Sequence, residues 1–223
     1  MEKHDSKTMN DTSTKNEASD ATTSQAPTSN PEKKESVFQE LVRFVLITLI
    51  IVVPIRIFIA QPFIVSGSSM VDTFHSGEYL IVDQLTYRFK EPARGDVIVF
   101  RYPNDPSKHF IKRIIGIPGD IITIQNNSIT LSNESLDEDI ILEEPYVAKD
   151  VVYSPMTAIL KEDEYFVLGD NRAASSDSRI WGILPKENIA GRAFIRLFPL
   201  NLIDVFPGKH QLLLTDASSL PDQ

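Results

Sequence analysis

The chain has 223 residues, 42% of them hydrophobic and 24% charged, with a formal net charge of -9. Such a length and composition suit one globular domain with appendages. The acidic balance speaks against a phosphate-binding partner, because nucleic-acid binding needs a basic footprint that releases counterions; no nucleic acid is expected. With no cysteine in the sequence, disulfides, thiolate metal sites and cysteine nucleophiles are excluded. The four histidines, His4, His75, His109 and His210, are too scattered for a zinc-binding helix. No cofactor and no metal is expected.

Residues 1–36 are rich in Ser, Thr, Asn, Asp, Glu and Lys. They bury too little apolar surface to offset ordering entropy and are expected to form a disordered cytoplasmic tail. The composition then changes abruptly to VFQELVRFVLITLIIVVPIRIFIA over residues 37–60. Phe44 to Ile55 carries no charge, and with Arg56 snorkelling at the edge the apolar run reaches Ala60. That length is near the lower limit for crossing a bilayer, so one N-terminal transmembrane helix is expected, with Pro54 kinking or ending it. A secretory signal peptide fits less well, because the run starts deep in the chain and no small-residue cleavage site follows. A buried soluble helix is the other alternative. Lys33, Lys34 and Arg43 precede or enter the span. The positive-inside rule then gives a cytoplasmic N-terminus in the cytoplasmic membrane and places residues 61–223 outside the cytoplasm.

From residue 79 the pattern is one of strands and turns. YLIVDQLTY, DVIVFRY, HFIKRIIGI, DIITIQ, SITLS, EYFVLGD and AFIRLFP are β-branched and aromatic runs, punctuated by ARGD, YPNDP, IPGD and QNNS. The domain reads as all-β, a sandwich or barrel of short antiparallel strands. The acidic stretch ESLDEDIILEE reads as a solvated loop or insertion, since it lacks the Gly-punctuated spacing of a calcium loop.

Three segments are candidates for chemistry. In SGSSMVDTF, residues 66–74, Gly67 permits a tight turn around serines just past the apolar span. In HFIKRIIGIPGD, residues 109–120, strand alternation puts Phe110, Lys112 and Ile114 on one face and Ile111, Arg113 and Ile115 on the other. A lysine between Phe and Ile is either buried, which lowers its pKa, or snorkels from an edge strand. In LGDNRAASSDSRIWGILP, residues 168–185, Asp170 with Arg172 and Asp177 with Arg179 are candidate ion pairs holding a loop. Asx turns account for Asp and Asn there equally well.

Together these segments resemble type I signal peptidases. Ser69-Met70 lies in a small-residue turn; Lys112-Arg113 precedes Gly116-Ile117-Pro118-Gly119-Asp120; Gly169-Asp170-Asn171-Arg172 is followed by Ser175-Ser176-Asp177-Ser178-Arg179. Order and spacing match over roughly residues 37 to 199. The resemblance implies coiled antiparallel sheets of short strands with a smaller β insertion, roughly residues 121–162. It implies a serine endopeptidase that removes signal peptides from exported preproteins after Ala-x-Ala-like sites. Ser69 would be the nucleophile and Lys112 the general base, with Ser175 hydrogen-bonded to the amine. Asp177 and Arg179 would pair to hold the loop carrying Ser175, Arg113 would support the site, and Met70 would line the substrate pocket. The implied partners are signal peptides and the lipid bilayer.

Three positions depart from the family pattern. Asp72 stands where Pro is usual, and a carboxylate beside Lys112 is expected to raise its pKa. Gly67 stands where some members place a hydroxyl oxyanion donor, which leaves the Ser69 N–H with help from Ser66 or Ser68. Ala173-Ala174 replaces a frequent Asp-Asn. His75, six residues after Ser69, keeps a Ser–His pair open. The alternative reading is a membrane-tethered paralogue that binds signal peptides or a partner without cutting.

Overall fold

The computed structural model describes residues 37–54, 60–134, 139–148, 151–209 and 213–216. The chain divides into two compact units, Met1–Val42 and Arg43–Gln223. Helix α1 (Val37–Pro54) begins in the first and ends in the second. Its side chains from Val37 to Val53 are all exposed, Phe38, Phe44 and Ile50 by about 70% each. Among the described residues no helix is long and apolar enough to cross a membrane. The expected span of 37–60 continues into residues 55–59, which lie outside the described residues, as does the polar tail over 1–36.

The second unit is sheet-rich, as the strand pattern predicts. Its described strands are β1 (Ala60–Ile64), β2 (Tyr79–Asp83), β3 (Val97–Tyr102), β4 (Asp105–Gly116), β5 (Ile121–Gln125), β6 (Ser128–Ser132) and β7 (Ile140–Glu143). They continue with β8 (Met156–Ile159), β9 (Glu164–Leu168), β10 (Leu184–Pro185), β11 (Ile189–Phe198), β12 (Asp204–Val205) and β13 (Leu213–Asp216). A single helical turn, α2 (Ser178–Trp181), interrupts them. One sheet has eight strands in the order β1-β2-β11-β3-β4-β9-β10, with β12 beside β11. The other has five, ordered β13-β7-β6-β5-β8. The predicted insertion falls on β5 to β8 of this second sheet. β13, from the far end of the chain, completes it, a pairing that no local pattern announces.

β4 organises the core. Its first half is exposed and its last five residues are buried. The run Lys-Arg-Ile-Ile-Gly lacks polar alternation because both of its faces are covered. Ile114 joins Ile98, Phe100, Tyr165 and Val167 in one cluster, while Ile115 joins Ile122, Ile124 and Leu131 of the second sheet in another. Gly116 lies under the second of these, where an added Cβ would come within 2.2 Å of Ile122 Cδ1.

The turn after β4 is held by Asp120, which is fully buried. Its carboxylate accepts from the Ile117 N–H at 2.7 Å, Asn133 Nδ2 at 2.9 Å and Arg94 Nη2 at 3.1 Å, and Arg94 Nη1 lies 2.8 Å from the other oxygen. Asp120→Ala strands the guanidinium and the turn N–H. We expect a loss of about 3 kcal/mol or more, read as a lower urea midpoint at unchanged slope.

Candidate active site

The serine segment leaves β1 and closes on itself before β2. Val65 N–H donates to Glu78 O and Gly77 N–H to Val65 O, each at 2.9 Å. Within the loop, Gly67 takes a φ of +98°, a region costly for any residue with a Cβ. Val71 N–H donates to Ser68 O and Phe74 N–H to Met70 O, which winds residues 68–74 into a tight turn. The side chains of Ser69 and Met70 then point opposite ways. Ser69 faces a cleft of about 290 Å³, whose wall also includes Ser66 and Ser68. Met70 is 2% exposed and packs among Val65, Phe74, Leu80 and Val97. The side chain of Met70, expected to line the substrate pocket, anchors the turn from the core side.

Lys112 enters the cleft from β4. Pairing of Ile98 with Lys112 across β3 and β4 sets its register. The side chain is 4% exposed, and Nζ lies 5.4 Å from the centre of the Phe110 ring. Nζ is 2.7 Å from Ser69 Oγ and 2.9 Å from Ile111 O. Burial pushes the lysine pKa down to about 8, against the pull of the Asp177 and Asp170 carboxylates, which favour the ammonium. An amine of that pKa is neutral in about one molecule in ten at pH 7, against one in a few thousand for a free lysine. A neutral amine at 2.7 Å is placed to accept the hydroxyl proton of Ser69.

The expected role of Asp72 is corrected. Asp72 is exposed and lines a different cavity, with Tyr146, Arg196 and Phe206. The anions that bear on Lys112 are Asp177 and Asp170.

Arg113, the next residue on β4, points away from Lys112 and is fully buried. Nε and Nη2 donate to the two oxygens of Asp170 at 2.9 and 2.6 Å, and Nη1 donates to Gly95 O and Gly208 O. Thr73 Oγ1 donates to Asp170 as well, at 2.5 Å. The predicted Asp170–Arg172 pair is thus replaced by Asp170–Arg113, because β9 pairs with β4 and sets Leu168 opposite Arg113. Arg172 instead pairs with Glu144 and donates to Tyr153 OH and Gly169 O. Glu144 lies in the acidic stretch read from sequence as solvated, and nothing local marks it as a partner.

Asp177 and Arg179 do pair, with Nε and Nη2 both 2.8 Å from the carboxylate. Asp177 also accepts from Gly169 N–H at 3.1 Å, and Arg179 donates to Arg172 O at 2.7 Å. Ser175 departs from expectation. It is 8% exposed, but its Oγ has no hydrogen-bond partner among the described residues, so the expected bond to Lys112 is absent. Gly169 explains how the segments pack so tightly: a Cβ there would meet Ser175 Oγ at 2.2 Å and Ser69 O at 2.4 Å. His75 is 58% exposed and sits 3.8 Å from Glu78 rather than beside Ser69. Sequence reasoning missed the cleft walls Phe63, Ile64 and His109. Phe63 and Ile64 fall between the expected span, which ends at Ala60, and the serine turn, where no local pattern marks a strand.

A hydroxyl 2.7 Å from a desolvated amine, at the mouth of an open cleft, is the equipment of a serine hydrolase. Residues 38–198 match the family described as signal peptidase, peptidase S26. Probable signal peptidase I-2 of Synechocystis sp. is 36% identical over 172 residues, covering 74% of this chain and 76% of that one. Signal peptidase I of Leptolyngbya laminosa is 33% identical over 195 residues, covering 82% and 93%. Signal peptidase I S of Bacillus subtilis is 33% identical over 178 residues, covering 77% and 95%. The chain belongs to the type I signal peptidase family and is a serine endopeptidase.

The site predicts a stability cost for Lys112. Its folded pKa of about 8 lies below its ordinary 10.5, so the unfolded chain binds more protons between those values. Stability therefore rises with pH across that window and is lowest below it. Lys112→Met should stabilise the protein by about 2 kcal/mol at pH 7, after the two lost hydrogen bonds are counted, with the gain fading towards pH 10.5. Urea titrations at pH 7 and pH 10 test the sign. Gly169→Ala should act oppositely: the Cβ must push Ser69 O or Ser175 aside, so peptide cleavage should fall at least tenfold along with the melting temperature.

Proposed function

We propose that this endopeptidase removes signal peptides from exported preproteins, with Ser69 as nucleophile and Lys112 as general base. The observation that carries the reading is the 2.7 Å approach of Nζ to Ser69 Oγ in a site dry enough to bring the lysine pKa to about 8. Asp177 with Arg179, and Asp170 with Arg113, support the site by holding the loop against the serine turn. The names of the relatives, each a signal peptidase I, agree with the substrate class. The apolar walls from Phe63, Ile64, Leu80, Val99 and Ile111 suit the small side chains of an Ala-x-Ala site one and three residues before the cut.

In this reading the enzyme is anchored in the cytoplasmic membrane by residues 37–60, with its N-terminus in the cytoplasm and its catalytic unit outside. The apolar side chains of α1, exposed on all sides, support a bilayer around it. The chain matches a family of peptidases and Asp72 turns to another cavity, so no observation favours a non-cutting paralogue.

The test is cleavage of a fluorogenic Ala-x-Ala peptide by the detergent-solubilised full chain. Ser69→Ala and Lys112→Met should each abolish turnover while the protein stays folded. Lys112→Arg should fail as well, because a guanidinium does not deprotonate at useful pH. Since the base must be neutral, kcat/KM should rise with pH through an acidic limb centred near 8 and then level off. Cleavage undiminished in Lys112→Arg, or a flat profile from pH 6 to 9, overturns the general-base role.

A further inference from the structure

When Ser69 attacks, the Oγ–H bond breaks and its proton passes to Lys112 Nζ. The Oγ–C bond forms, and the π pair of the scissile carbonyl moves onto its oxygen. That oxyanion needs a donor aimed at where it develops. Gly67 offers no side chain. The Ser69 backbone N–H is the nearest main-chain donor to the nucleophile, and among the described residues it donates to no backbone acceptor. Its direction is set by the peptide unit joining Ser68 and Ser69. That unit is planar and trans, so the Ser68 carbonyl and the Ser69 N–H point in opposite directions and turn together. Whatever grips Ser68 O therefore aims the Ser69 N–H.

Asn171 is that grip. Its Nδ2 donates to Ser68 O at 3.0 Å. Its own backbone N–H donates to Ser69 O, also at 3.0 Å. One residue thus holds the carbonyls on both sides of Ser69. Among the described residues the other donor to Ser68 O is the Val71 N–H, at 3.2 Å. Asn171 is itself held. The residue before it, Asp170, is locked by Arg113 and Thr73, and the bare Cα of Gly169 lets the segment lie against Ser69 O. A donor bonded at Ser68 O also polarises the same peptide, which makes its N–H a stronger donor.

We propose that Asn171 is a positioning residue that aims the Ser69 backbone N–H at the oxyanion of the scissile carbonyl. The proposal rests on Ser69 being the nucleophile. Lys112 and Asn171 then divide the work around that serine. Lys112 moves the proton, and Asn171, which bonds neither Ser69 Oγ nor Lys112 Nζ, orients the electrophilic end of the site.

The experiment uses Asn171→Ala and Asn171→Asp in the full chain, with Ser69→Ala beside them. Asn171→Asp keeps the shape and the backbone N–H bond but cannot donate from its side chain, so it reports on the grip even if the alanine variant is less stable. For both variants kcat should fall about tenfold, less than the loss of a whole oxyanion donor, with KM unchanged. A peptide aldehyde, which forms a tetrahedral adduct with the serine, should bind about tenfold more weakly, in step with kcat/KM. An Ala-x-Ala product peptide, which forms no such adduct, should bind as it does to the unaltered enzyme. In Asn171→Ala the acidic limb of the pH profile should stay in place, since the amine is untouched. If kcat and aldehyde affinity are unchanged, or KM alone rises, or the limb of Asn171→Ala moves, Asn171 does not act through the Ser69 N–H. If Ser69→Ala still cleaves, the nucleophile assignment falls and this proposal with it; if Ser69→Ala is inactive and the Asn171 variants are unimpaired, only this proposal falls.

Discussion

The buried ion pair between Arg113 and Asp170 is the constraint on which the site hangs. Both side chains are wholly out of water, and the contact is two-pronged. A charge so placed is tolerable only with its partner, so the pair specifies one docking of the 169–177 segment against β4. Because Thr73 also binds Asp170, the same carboxylate gathers the serine turn to the strand and the loop. Three segments far apart in sequence meet at one residue.

Two neighbouring cations on β4 meet opposite fates for one physical reason. Arg113 finds a carboxylate that meets it two-pronged in the core. Lys112 finds a hydroxyl, a carbonyl and an aromatic ring, none of which compensates fully for lost hydration, and its affinity for a proton falls. The fall is bounded, because Asp170 and Asp177 lie close enough to pull the other way. Their pull is itself muted by the guanidinium groups of Arg113 and Arg179. The working pKa of the amine is therefore set first by burial and tempered by two ion pairs that never touch it.

The Ser175 hydroxyl is a buried side-chain oxygen beside the site that has no partner among the described residues. It lies against Gly169, closer than a Cβ there would allow. A buried hydroxyl without a bond costs free energy. In this arrangement the hydrogen bonds of Lys112 go to Ser69 and to its own strand's carbonyl, and the hydroxyl that sequence resemblance assigned to the amine stands by unused.

Much of this was legible from the chain alone. The β-branched runs between turn signals located the long strands, because alternation and turn chemistry are local properties. The pairing of Asp177 with Arg179 was legible for the same reason: two residues apart, they need only a turn to meet. Ser69 and Lys112 were legible as candidates through the resemblance of three motifs to the type I signal peptidases. Tertiary structure alone decided which partners the remaining charges take. Asp170 passes over the nearby Arg172 for Arg113, and Arg172 reaches Glu144, 28 residues away, because strand register rather than proximity in sequence sets what faces what. Asp72 looked like a neighbour of the base by its number, and Met70 like a pocket wall, yet the turn of residues 68–74 sends one to another cavity and the other into the core. Side-chain direction in a tight turn depends on the hydrogen bonds that close it. The bonds from Val71 and Phe74 are local to the turn, whereas those from Asn171 exist only once the 169–177 segment lies against it.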